Sequence, residues 1–230
     1  MERLSDFLIS VELLKGLSKH RVEAALLPFG SCQTYIGGEA VYLPHDRVSD
    51  VKILLSGKVN IVNYLDNGSR DLQSQLLPGA VLGLELLGTR TQLSPYHAVA
   101  AENSEIFSFP SRLIFEPGFL TDAERCQCLR NILYLVSQIN MKKEYRLAIL
   151  TYRSLRERVL VYLTMQANRR QTASFSIPFS REELASFLCV NRSALSHELS
   201  LLRQEGLIEF HKNRFTLKNW SKAGDAIPYR

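Results

Sequence analysis

The sequence predicts an α+β protein in three parts: an N-terminal antiparallel β-roll, a long dimerisation helix and a C-terminal winged helix-turn-helix. Three observations predict it. Glycines and short β-favouring runs crowd the first half, a helical stretch from Thr121 to about Thr151 lacks Pro and Gly, and residues 180–217 read as two helices followed by a hairpin. The parts fall at residues 1–118, 119–153 and 154–230.

Eight of the twelve glycines lie between residues 30 and 88. Between them run Val51–Leu55, Val59–Tyr64 and Val81-Leu82, and the pattern continues through Tyr96–Ala100 and Glu105–Phe109. Ser56-Gly57, Asn67-Gly68 and Pro78-Gly79 stand where hairpin turns need residues tolerant of positive φ. A compact roll over about residues 28–110, preceded by a helical segment around Phe7–Leu27, closes such strands.

Thr121 and Glu124 form a capping box that opens the long helix. Leu129, Ile132, Val136, Ile139, Lys143, Arg146 and Leu150 recur at spacings of three and four, a coiled-coil-like seam of about three heptads. A second box, Ser154 with Glu157, starts a separate helix through about Gln166, which makes Leu150–Arg153 a hinge.

Ser180 with Glu183 starts the first helix of the C-terminal pair, whose apolar stripe is Leu184, Ala185 and Leu188. Cys189-Val190 occupies the turn and Asn191 caps a second helix from Arg192 to about Gln204, which Gly206 stops. At about 100° per residue, Leu195, Leu199 and Leu202 fall on an arc of roughly 280–340°, while Arg192, Ser193, Ser196 and His197 fall at roughly 0–140°. That polar face, at the helix N-terminus, is the part of a recognition helix that reaches base edges. Beyond it, Ile208 and Phe210 flank a Lys-Asn turn with Phe215 and Leu217 opposite, a hairpin whose basic tip can lay His211, Lys212 and Arg214 on phosphates.

Charge agrees with this division. The chain carries 28 Lys+Arg against 23 Asp+Glu; residues 151–230 hold 13 against 7, and residues 1–150 hold 15 against 16. The positive excess lies wholly with the helix-turn-helix, as contact with a polyanion requires. No stretch approaches the roughly 18 apolar residues of a membrane span and the start lacks a signal-peptide pattern, so a cytoplasmic protein with no membrane partner is expected. Cys32, Cys126, Cys128 and Cys189 are too scattered for a disulfide framework. Cys126 and Cys128 point about 200° apart on a helix, against a shared metal site, and Cys189 reads as a core thiol. No metal site, cofactor motif or nucleophile-base constellation occurs, which argues against an enzyme.

A roll, a long helix and a winged helix-turn-helix in this order resemble the CRP/FNR superfamily of bacterial transcription regulators, and the resemblance covers essentially the whole chain. Its most specific pieces are Leu54-Leu55-Ser56-Gly57-Lys58-Val59, Leu77-Pro78-Gly79 followed by Gly83, and Ser180 through Ile208. It implies a cyclic-nucleotide-binding-like roll in a homodimer that binds palindromic double-stranded DNA under control of a small effector, and that meets RNA polymerase if it activates. Carried over by position, the base readers are Arg192, Ser193, Ser196 and His197. Ser180, Arg181, Asn191 and His211 match positions that touch phosphates. The family commonly has Glu where Ser193 stands and Arg where His197 stands, which alters the expected half-site.

The sensor side departs from the cyclic-nucleotide members. Their Gly-Glu pair holds ribose and an Arg clamps the phosphate; here Gly83-Leu84-Glu85 displaces the Glu by one and Ser94-Pro95 stands near the place of the Arg. A buried phosphate without a cation is costly. The iron–sulfur branch needs clustered N-terminal cysteines, and none precedes Cys32. The expected effector pocket comprises Gly83, Glu85, Leu86, Arg90 and Tyr96, with Asn140 and Lys143 from the long helix, and the effector itself carries no signature. Two alternatives are a cyclic-nucleotide-responsive regulator using Arg90 as a substitute clamp and a nonspecific architectural DNA binder.

Overall fold

The computed structural model describes residues 2–64, 70–218 and 220. The chain divides into two compact units, Met1–Asn63 with Gln73–Met141 and Tyr64–Leu72 with Lys142–Arg230.

The first unit begins with α1 (Glu2–Ser10) and α2 (Lys19–Ala25), separated by a 3-10 turn at Glu12–Leu14 and followed by another at Leu27–Phe29. The single helical segment expected around Phe7–Leu27 is thus broken, because Gly16 takes φ of 98° and Ser18 caps a new helix by accepting from the Arg21 N–H. Strands β1 (Ser31–Tyr35), β2 (Ala40–Tyr42), β3 (Asp50–Ser56), β4 (Val59–Tyr64), β5 (Arg70–Leu76), β6 (Val81–Leu82), β7 (His97–Ala100) and β8 (Ser104–Pro110) form two sheets. Their orders are β1-β8-β3-β6 and β2-β7-β4-β5. Short helices α3 (Leu84–Leu87) and α4 (Arg112–Phe115) interrupt and end the roll.

Alternation explains the burial. Val51 and Ile53 of β3 pair with Phe109 and Phe107 of β8 in an antiparallel register and share one buried face, while Leu54 and its partner Ile106, one position on, point to the other side and are buried as well. Gly57 turns the β3–β4 hairpin with φ of 82°, and a Cβ there would collide with Ser104 and the Asn103 carbonyl. The Asn67-Gly68 turn lies outside the described residues.

Helix α5 (Asp122–Leu150) opens on the expected box, the Thr121 N–H donating to Glu124 Oε2 at 2.8 Å and the Glu124 N–H to Thr121 Oγ1 at 3.3 Å. The seam read from its spacing is divided. Cys128 is buried, and Ile132, Leu135 and Val136 pack on the core of the roll. Leu129, Leu133, Tyr134, Met141 and Leu147 are exposed instead, Leu133 at 69%. Arg146, assigned to the seam, is buried in the second unit. One helix therefore carries two apolar stripes, and the heptad count mixed them. Buried Asn131 fastens α5 to the N-terminal segment, donating to the carbonyls of Leu13 and Lys15 at 3.0 and 2.8 Å.

The second unit contains α6 (Leu155–Arg170), β9 (Ser174–Ser176), α7 (Arg181–Phe187), α8 (Arg192–Gln204), β10 (Ile208–His211) and β11 (Arg214–Leu217). Both capping boxes, Ser154 with Glu157 and Ser180 with Glu183, are formed. Its core joins Tyr162 and Leu163 of α6 to Leu184 and Ala185 of α7, Leu195, Leu199 and Leu202 of α8, and Phe215 of β11. The hairpin is joined by β9, unforeseen from sequence, to give the order β10-β11-β9. Phe175 opposite Phe215 is the pair that seats this third strand.

Asn191 Oδ1 accepts from the Ala194 N–H at 2.7 Å and so satisfies a donor that the helix cannot. Asn191→Ala should lower stability by about 1 kcal/mol in urea unfolding, whereas Asn191→Asp should retain most of it. An unchanged midpoint for the Ala variant would show that the cap contributes nothing.

Candidate nucleic-acid interface

The geometry of α8 follows from its two faces. Leu195, Leu199 and Leu202 are fully buried, so rotation of the helix about its axis is fixed by packing. Arg192, Ser193 and His197 are consequently exposed and Ser196 is half-buried, all on the first two turns. The Ser193 hydroxyl donates to Asn191 Oδ1 at 2.8 Å, leaving its oxygen lone pairs as the outward-facing acceptors. The Arg192 guanidinium offers the planar fork that matches a guanine edge. At the far end, Arg156 of α6 pairs with Glu205 and lies 3.7 Å from Glu198, so α6 holds the C-terminal half of the helix.

The turn before α8 is built by side chains that sequence reasoning missed. The last carbonyls of a helix lack intrahelical partners. Arg146 Nε donates to the Phe187 carbonyl at 3.2 Å and Arg158 Nη1 to the Leu188 carbonyl at 3.3 Å, so two guanidinium groups close the end of α7. Arg146 also stands over the Phe187 ring, 5.3 Å from its centroid, and pairs with Asp71. Ser186 Oγ accepts from the Leu72 N–H at 2.9 Å. Cys189 is not the expected core thiol: it is exposed, in left-handed backbone with φ of 57°, and its Sγ lies 3.5 Å from Arg146 Nη2. The turn needs that backbone, which turns the side chain outward. Partial burial and the neighbouring Asp71 carboxylate push its thiol up, away from a reactive thiolate.

The wing brings the remaining cations to one edge. His211 and Arg214 are register partners on β10 and β11, Lys212 at the tip has φ of 53°, and all three are exposed. The Asn213 side chain donates to the Ile177 carbonyl at 2.9 Å, and the Ile177 N–H donates to the Asn213 carbonyl at 2.9 Å. The tip is thereby tied to the strand that leads into α7. Ser180 is exposed with its Oγ occupied as a cap. Arg181 is placed differently from the other expected phosphate contacts. Its guanidinium is half-buried, 4.9 Å from the Phe210 ring centroid and 5.7 Å from that of Phe215, and Nη2 donates to the Lys212 carbonyl at 3.2 Å. Burial first, and then the Arg192 charge, lower its proton affinity.

In the first unit, the expected effector residues are brought together in part. Gly83 takes φ of 66° and introduces α3, with the Tyr42 ring and Val48 against it. Leu86 is buried, and the hydroxyl of buried Tyr96 donates to Glu85 Oε1 at 3.0 Å. Ser94, near the place of the family's clamping Arg, is buried and donates to the Tyr96 carbonyl at 2.8 Å. The buried Tyr42 hydroxyl has no hydrogen-bond partner among the described residues. Burial, with the Glu85 carboxylate adding, raises the pKa of both phenols, so they are neutral donors at neutral pH. Arg90 and Asn140 are exposed, and so, in the second unit, is Lys143. No group of three or more metal-ligating side chains and no helix long and apolar enough to cross a membrane occurs among the described residues.

Comparison with known proteins bears on both units. A cyclic nucleotide-binding domain matches residues 32–116 and a Crp-like helix-turn-helix domain matches residues 157–222. The transcriptional activator protein FnrA of Stutzerimonas stutzeri is 24% identical over 177 residues, 75% of this chain and 70% of its own length. The global nitrogen regulator of Synechococcus elongatus is 25% identical over 193 residues, covering 79% and 83%. Among solved structures, FixK2 from Bradyrhizobium japonicum superposes with a TM-score of 0.65 at 20% identity over 83% of this chain and 93% of its own. The c-di-GMP responsive regulator CLP of Xanthomonas campestris does so with 0.69 at 17% identity, over 88% and 100%. At such identities the structural likeness speaks for the fold alone. The two domain matches together, in the order in which the chain carries its roll and its winged helix-turn-helix, make this protein a member of the CRP/FNR family of DNA-binding transcription regulators rather than an enzyme.

Proposed function

We propose that the protein is a sequence-specific regulator that binds an inverted repeat as a homodimer and answers to a small effector held in the roll. The observation that carries the reading is the capped N-terminus of α8, with Arg192, Ser193 and His197 exposed on one face and the wing cations His211, Lys212 and Arg214 exposed on the hairpin of the same unit. Arg192, Ser193, Ser196 and His197 read base edges; Ser180, Asn191 and the wing cations hold phosphates. As an activator it would also meet RNA polymerase.

Pairing of two chains through α5 is supported by Leu129, Leu133 and Leu147, which are exposed at 40%, 69% and 57% and recur along one side of the helix. Apolar side chains so exposed on a polar helix are covered most simply by the same stripe of a second copy. Two recognition helices then meet half-sites whose centres lie about 10 base pairs apart.

The effector reading is narrower than the family's best-known ligands. Tyr96 already occupies the Glu85 carboxylate, and Ser94 folds into a local turn near the place of a clamping cation. Neutral phenols and a carboxylate suit a ligand that donates hydrogen bonds and carries little negative charge.

Four outcomes are expected. A duplex selected by the protein from a random library should shift in a gel against excess random competitor, and Arg192→Ala should weaken that site by about 1–3 kcal/mol while relaxing one position per half-site. Lys212→Ala should weaken selected and random duplexes alike and flatten the salt dependence; equal competition by random DNA would favour an architectural binder. Sedimentation should give a dimer at micromolar concentration and a monomer for Leu133→Glu, and a wild-type monomer that stays monomeric on the selected duplex would refute pairing. Calorimetry should detect no binding of cyclic AMP or cyclic GMP, and a dissociation constant below about 10 μM that is abolished by Arg90→Ala would establish a substitute clamp instead.

A further inference from the structure

We propose that Arg181 is a positioning residue for the wing: its guanidinium, stacked on Phe210 and Phe215 and hydrogen-bonded to the Lys212 carbonyl, sets where the wing tip stands relative to the recognition helix. The proposal rests on the DNA-binding reading for its consequence, though not for its geometry. By residue type and place, the first residue of a helix-turn-helix is expected to spend its charge on a phosphate. The structure spends it inside the unit.

Four observations converge. Arg181 is the first residue of α7, so its backbone is fixed by the Ser180–Glu183 capping box. Its guanidinium lies 4.9 Å from the Phe210 ring centroid and 5.7 Å from that of Phe215, and the two rings are 5.9 Å apart. Its Nη2 reaches the carbonyl of Lys212, the tip residue, at 3.2 Å. Arg203, in the last turn of α8, stands 5.2 Å from the centroid of the same Phe210 ring. Phe210 therefore receives a cation from the start of α7 and another from the end of α8, and three elements are joined through one ring.

Chemistry explains why arginine is needed. A guanidinium can lie on an aromatic face while its in-plane N–H groups donate elsewhere, and an ammonium cannot do both. Lysine at 181 would keep the charge and lose the arrangement. A direct phosphate contact has the opposite tolerance, since a phosphate accepts either cation.

The test compares Arg181→Lys, Phe210→Leu, Lys212→Ala and the double variant Arg181→Lys/Lys212→Ala, all in the full-length protein. In the absence of DNA, amide hydrogen exchange at the register partners His211 and Arg214 should accelerate about tenfold in Arg181→Lys and in Phe210→Leu, with α8 amides unchanged. On the library-selected duplex, Arg181→Lys should lose about as much affinity and salt dependence as Lys212→Ala, base preference should hold, and the double variant should be no worse than the weaker single. Wild-type affinity for Arg181→Lys, losses that multiply in the double variant, or unchanged wing exchange in Phe210→Leu would each overturn the proposal. A protein that selects no duplex, yet shows the accelerated wing exchange, would refute the DNA reading and leave the packing role standing. If Arg181→Lys does not fold, Phe210→Leu decides by the same two readouts.

Discussion

The recognition helix is positioned by how the chain satisfies its backbone at the turn before it. Between α7 and α8 the chain must end one helix and begin another within residues 188–191, and every carbonyl and N–H left over there needs a partner. Arg146 and Arg158 supply donors to the Phe187 and Leu188 carbonyls, and Asn191 supplies the acceptor that starts α8. Buried guanidinium groups are expensive unless paired, and Arg146 is paired with Asp71 and stacked on Phe187. The direction in which Arg192 and His197 point thus depends on two cations turned toward the protein, Arg146 buried and Arg158 half-buried.

Much of the second unit was legible because its signals are local. A capping box is four residues long, so Ser180–Glu183 and Ser154–Glu157 announce helix starts without knowledge of the rest of the fold. The buried triad Leu195, Leu199 and Leu202 follows from a 3.6-residue period, and the Lys-Asn hairpin from alternation. What was not legible is non-local. Strand β9 has one buried side chain, Phe175, and exists because Phe215 lies opposite it. Strand β1, largely exposed, is held by its ladder to β8 rather than by any apolar pattern of its own.

Cys189 shows how residue type misleads at a site, and Arg181 shows partners that residue type does not announce. Cysteine is among the most buried residue types, but a turn that requires left-handed backbone at position 189 leaves its side chain outside. Arginine beside a recognition helix reads as a phosphate ligand, and the rings of Phe210 and Phe215 on the wing, 29 and 34 residues away in sequence but 4.9 and 5.7 Å from its guanidinium, offer it a further partner. Neither partner is visible from the residue's own neighbours in the chain.

Helix α5 carries the same lesson to the level of function. Its residues Cys128, Ile132, Leu135 and Val136 cover the roll, while Leu129, Leu133 and Leu147 stay exposed. A helix with one apolar stripe packed on its parent domain and another left exposed has apolar residues around more of its circumference than a two-stranded seam needs. Counting heptads along it therefore finds a regular pattern whose members lie on different sides of the helix. Ile132 sits only three positions from Leu129, yet one faces the roll and the other solvent.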